Sequence, residues 1–218
     1  MKRIVLFLAI ITLFAGCQQR QETPLPLSEE EVQNARQEWN WARQVCDSLG
    51  DEVRPDRLSQ FESVPLARLM MLNAYQSLAS QYDGMLDEDW FVTDYALWEA
   101  VFREYEDHYT NIGSSRNMML TAAYEAITKL RLDILQEEIG YLSWDHDGAA
   151  QWFVSADEIK WDANAHALRT WFNHRMEMAN ILQPINQNRA EYLRHITYKT
   201  VFIFSHLQLD WTYDFERI

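Results

Sequence analysis

Pro65-Leu66-Ala67-Arg68-Leu69-Met70-Met71-Leu72-Asn73-Ala74-Tyr75-Gln76-Ser77-Leu78-Ala79-Ser80-Gln81-Tyr82-Asp83-Gly84 is the stretch that decides how this chain folds. Leu66, Leu69, Leu72, Tyr75, Leu78, Ala79 and Tyr82 recur at steps of three and four, which places them along one side of an α-helix. Proline opens the stretch and glycine closes it, matching the preferences of a helix's first turn and of its end.

The same pattern repeats in both directions from there. Upstream, Ser28 and Glu31 form a capping box for a helix running to about Leu49, with Val32, Ala35, Trp39, Ala42 and Cys46 on one stripe. Downstream, a helix from about Thr93 to Tyr109 points Leu97, Trp98, Val101, Phe102 and Tyr105 inward. The next starts near Ser115 and carries Leu120, Ala123, Tyr124, Ile127, Leu130, Ile134 and Leu135 before Gly140. A second capping box, Ser155 and Glu158, opens a helix to about Gln183, and Pro184 separates it from a last one, Asn186 to Gln208. No segment alternates with period two long enough to compete as a strand. The expectation is therefore all-α: six amphipathic helices in an up-and-down bundle, since short links favour antiparallel neighbours.

The chain has 218 residues, 48% of them apolar and 24% charged, which is globular composition. Its formal charge is −14, falling to −16 if Lys2 and Arg3 are removed with a leader. So acidic a surface repels phosphate backbones and anionic headgroups, so nucleic acid is not expected as a ligand.

The leader has a positive start at Lys2-Arg3 and an apolar run from Ile4 to Phe14 interrupted only by Thr12. That run is too short to span a bilayer and reads as an export signal over residues 1–16. It ends in Leu13-Phe14-Ala15-Gly16-Cys17, which resembles a bacterial lipobox, with Phe14 where leucine is usual. The resemblance implies cleavage before Cys17 and acylation of its thiol and new amino group. Gln18 rather than aspartate follows, as in lipoproteins sent on to the outer membrane. Residues 17–27, with Pro24 and Pro26, then form a tether, and residues 28–218 a single domain. With Cys17 acylated, Cys46 is the only remaining thiol, and its place on the first stripe makes it a core residue.

A second resemblance is carried by Leu72-Asn73-Ala74-Tyr75-Gln76-Ser77-Leu78 with Trp98 and Arg103. It is similar to the pattern of lysozyme-inhibitor-like helical domains of bacterial envelopes. It covers under a quarter of the chain, its spacings differ by one residue, and the cysteine pair usual in that family is missing.

Two constellations are candidate sites. Tyr141, Trp144, Trp152 and Phe153 flank Asp145-His146-Asp147-Gly148, and aromatic rings beside carboxylates and a histidine are the groups that bind sugars or peptides. The competing reading is a loop plugging the bundle's end. If the last two helices fold back around Pro184, His174, Glu177, Glu191 and His195 reach one level and offer four ligands for a divalent metal. Against that, His195 sits at the edge of the Ile196, Ile203 and Leu207 stripe. Acidic residues also lie four before a histidine at Glu104 and His108, Asp162 and His166, and Glu191 and His195, a spacing typical of surface ion pairs. Trp211, Tyr213 and Phe215 follow the last helix and either pack back on it or face a partner.

There is no Gly-x-Ser-x-Gly elbow, no phosphate-cradling glycine loop and no His-Glu-x-x-His. The sequence thus points to a lipid-anchored envelope protein that binds another envelope protein or a cell-wall glycan, with no cofactor expected. The alternatives are a metal-dependent enzyme built on the four paired residues and an architectural subunit of a larger assembly.

Overall fold

A computed structural model describes residues 27–49, 64–108, 116–143 and 165–215. Among the described residues the fold is all-α, with six helices and no strand: α1 Glu29–Leu49, α2 Val64–Gln81, α3 Glu88–His108, α4 Arg116–Ser143, α5 His166–Leu182 and α6 Gln187–Phe215. Among the described residues, no helix is long and apolar enough to cross a membrane.

The capping box at α1 is formed as expected. The Ser28 N–H donates to Glu31 Oε2 at 2.5 Å, and the Glu31 N–H donates to Ser28 Oγ at 3.3 Å. This bond to the Ser28 backbone, helped by Arg103, holds the Glu31 carboxyl below its ordinary pKa. The α2 stripe is buried at Leu69, Leu72, Tyr75, Leu78 and Tyr82, whereas Leu66, in the first turn, is exposed.

Three boundaries differ from expectation. α3 starts at Glu88 rather than near Thr93, because Phe91 and Val92 extend its buried stripe and the acidic Glu88 and Asp89 suit a helix N-terminus. α4 runs through Gly140 to Ser143, since Ile139, Tyr141 and Leu142 pack on the core and outweigh one glycine's poor propensity. α6 continues to Phe215, which places Trp211, Tyr213 and Phe215 inside the helix rather than after it. Ser155 and Glu158 lie outside the described residues.

Side-chain pairs give the helix directions. As α1 numbers rise α3 numbers fall, through Glu31 with Arg103, Glu38 with Tyr95, and Arg43 with Glu88. α2 opposes α3 likewise, through Arg68 with Glu99, Tyr75 with Tyr95, and Tyr82 with Phe91. α2 and α4 run parallel in steps of seven: Arg68 beside Tyr124, Tyr75 with Arg131, Tyr82 with Glu138. α5 opposes α3 through Trp98 with Trp171 and Asp94 with Arg175, and α6 opposes α5 through Phe172 with Tyr198 and Asn180 with Arg194.

Hence α1, α2, α4 and α5 run one way, and α3 and α6 the other. Short links do join antiparallel neighbours, at α2–α3, α3–α4 and α5–α6. The longer segments 50–63 and 144–164 join helices of the same direction, which only a long link permits. The bundle therefore has two distinct ends. One receives the chain at Ser28. The other carries the α2–α3 turn, the α5–α6 turn and the C-termini of α1 and α4.

Candidate functional site

A buried ionic network lies at the centre. Asp94, Arg131, Glu138 and Arg175 are all fully buried. Arg131 donates through Nη2 to Asp94 Oδ2 at 2.7 Å and through Nε to the Tyr75 hydroxyl at 2.8 Å. Arg175 donates through Nη2 to Glu138 Oε2 at 2.6 Å and through Nη1 to Asp94 Oδ2 at 3.5 Å. The Tyr82 hydroxyl donates to Glu138 Oε1 at 3.4 Å.

Two guanidiniums face two carboxylates, so the buried charge cancels. Burial opposes the Arg175 charge, but Glu138 and Asp94 outweigh it and keep that pKa above the usual arginine value. Arg131 also lies among the rings of Tyr75, Trp171 and Trp98, at 4.9, 5.0 and 5.3 Å from their centroids. The network ties α3, α4 and α5 together. With every charged member sealed from solvent, it fastens these helices to one another.

A second ionic group, nearer the surface, joins α1, α2 and α3. Arg68 bonds Glu38 and Glu99, and the Tyr95 hydroxyl donates to Glu38. Burial raises the Glu99 pKa, with Arg68 pulling it back, and burial with Glu99 pushes Tyr124 up to about 12.

A concave surface lies at the turn end. A cleft of about 380 Å³ is lined by Asp83, Gly84, Met85, Asp87, Trp90 and Ile181, with Leu86 and Glu88 completing it. Gly84 shapes its rim, since a φ of +73° lies in the left-handed region that favours glycine. Trp90 is held rigidly: its indole stacks on the His174 ring at 5.1 Å and 28°, and His174 Nε2 lies 2.9 Å from the Trp90 carbonyl oxygen. Because a carbonyl only accepts, Nε2 carries the hydrogen. On the α1 side, Arg36 Nη1 donates to Glu88 Oε1 at 2.8 Å, Arg43 also bonds Glu88, and Arg36 reaches Asp89.

The residues singled out from sequence are dispersed. Tyr141 lies in α4 rather than on a loop, flat against Tyr192 with centroids 3.5 Å apart, so its ring is engaged in packing. Cys17, Trp144, Asp145, His146, Asp147 and Trp152 lie outside the described residues. The paired residues of α5 and α6 are not brought together. His174 faces Trp90 on α3 and Glu177 is exposed. Glu191 accepts from Gln187 at 2.8 Å, and His195 lies beside Lys199 and Glu137. Burial, then Lys199, holds the His195 pKa below its usual value. Among the described residues no group of three or more histidine, cysteine, aspartate or glutamate side chains is arranged to hold a metal. α5 and α6 do run antiparallel, but these side chains meet different neighbours.

Glu104 caps α5 from across the bundle, accepting the N–H groups of His166 at 2.9 Å and Ala167 at 2.8 Å, and the side chain of His108, its expected partner, lies outside the described residues. Tyr75, Leu72, Leu78 and Trp98 are core residues, and Arg103 pairs with Glu31. Cys46 is half-buried against the core, and burial raises its thiol pKa. The cleft residues escaped the sequence reading because they belong to turns and helix ends. Their one sequence signal is acidity at Asp83, Asp87 and Glu88 around the aromatic Trp90.

Comparison with protein families, curated proteins and solved structures finds no match to this chain.

Proposed function

We propose that the protein is a lipid-anchored binding protein of the bacterial cell envelope, held in the outer membrane through Cys17 and engaging another envelope protein. The observation that carries this reading is the bundle's polarity. The chain enters at Ser28, at one end, and the acidic, partly apolar cleft opens at the other. A tether of residues 17–27 attached at the entry end leaves the cleft end facing away from the lipid. The interior charges are consistent with binding over catalysis, because Asp94, Arg131, Glu138 and Arg175 pair with one another in the core. An excess of acidic residues favours a basic protein surface over a neutral glycan as the ligand.

The anchor is tested by growing the host with alkyne-palmitate and separating membrane from soluble fractions. The full chain takes up the label and sediments with membranes, and Cys17→Ser loses the label and becomes soluble. Equal labelling of the two, or none in either, removes the anchor.

A further inference from the structure

We infer that the cleft at the turn end docks a basic, amphipathic segment of a protein partner, with arginine or lysine side chains against Asp83 and Asp87 and apolar ones against Met85, Trp90 and Ile181. This deepens the binding-protein reading and rests on it for the partner's being a protein.

The acidic residues of this end fall into two groups. Glu88 and Asp89 are engaged by Arg36 and Arg43 from α1. Asp83 and Asp87 are exposed and make no ion pair among the described residues. They stand on either side of Gly84 and Met85, so two unneutralised carboxylates border a concave surface. Apolar side chains stand among the lining: Met85, Trp90 and Ile181 are each half-buried, and Trp90 stacks on His174. Four residues beyond Ile181, Ile185 is 54% exposed on the neighbouring turn. A purely cationic ligand leaves those apolar side chains wet, and a purely apolar one buries two carboxylates without partners. A segment carrying both kinds of side chain satisfies both halves. The chain's charge of −14 steers such a cation inward from a distance.

The experiment uses the full-length lipoprotein in neutral detergent and a fluorescein-labelled decapeptide alternating arginine and leucine, read by anisotropy. Its glutamate-leucine counterpart is the control. The basic peptide binds, the acidic one does not, and Asp83→Asn with Asp87→Asn weakens binding by about tenfold, more at low salt than at high. Met85→Gln, which leaves the charge unchanged, also weakens it. Glu29→Gln with Glu30→Gln removes the same charge at the opposite end and changes nothing.

The proposal is overturned if the basic peptide does not bind, or if the two double variants weaken it equally, which leaves only general acidity. Much tighter binding by Arg54→Gln with Arg57→Gln also overturns it, since the chain's own 50–63 segment is then the occupant. Because the purified protein is used, peptide binding and acylation at Cys17 stand or fall separately.

Discussion

Arg131 shows how much one side chain can hold in this fold. It is fully buried, bonds Asp94 and Tyr75, and lies among three aromatic rings drawn from α2, α3 and α5. Removing one member of a buried ion pair strands the other charge, which costs about 3–5 kcal/mol. Arg131→Met is accordingly expected to lower urea-unfolding stability by about that amount. Adding Asp94→Asn should recover part of the loss, because the stranded carboxylate is gone. A single variant as stable as the parent would mean that Arg131 contributes nothing net. Nothing local in the sequence marks this residue as buried. Scanning α4 for apolar steps selects Ile127, Leu130 and Ile134, and a charged position between them looks like solvent-facing surface. The seven-residue series Tyr124, Arg131 and Glu138, matching Arg68, Tyr75 and Tyr82 on α2, was present in the sequence. It gains meaning only once the two helices are known to run parallel.

At the scale of elements, two glycines that look alike in sequence behave oppositely. Gly84 has φ of +73° and nothing within 4 Å of where a Cβ would sit, so its backbone angle and not crowding requires glycine. Gly140 lies inside α4, exposed, also with nothing within 4 Å and no positive φ. Gly84→Ala is expected to destabilise by about 1–2 kcal/mol through left-handed strain. Gly140→Ala should stabilise by about 0.5–1 kcal/mol, because alanine suits a helix interior better. Thermal melts of the two variants decide this: shifts of the same sign would mean that one of these backbone assignments fails. Over the described residues the helices were legible because apolar periodicity and the Ser28–Glu31 box are local signals. Ends were less legible where tertiary contacts decide them. Gly140 reads as a terminator until Tyr141 is seen against Tyr192, and the cap on α5 comes from Glu104, sixty-two residues away.

For the whole molecule, direction matters more than helix count. α1 has 21 residues and so extends about 31 Å, separating the entry at Ser28 from the end where Arg43 meets Glu88. Should Cys17 hold the protein to lipid, that length keeps the cleft clear of the headgroups, where an acidic end is also repelled by anionic lipid. A dye placed at either end reports this in vesicles carrying an energy acceptor in their headgroups. Gln33→Cys puts the dye near the entry end and Ile185→Cys puts it on the turn beside the cleft, both in a Cys46→Ala background. Transfer from residue 33 is expected to be the more efficient, and the difference should grow when anionic lipid is added. Equal transfer from both would mean a bundle lying along the surface, with the cleft no longer presented outward. The direction of the first helix therefore links the proposed anchor to the proposed docking surface, and a reversal of the two signals would sever that link even if acylation and peptide binding were each found.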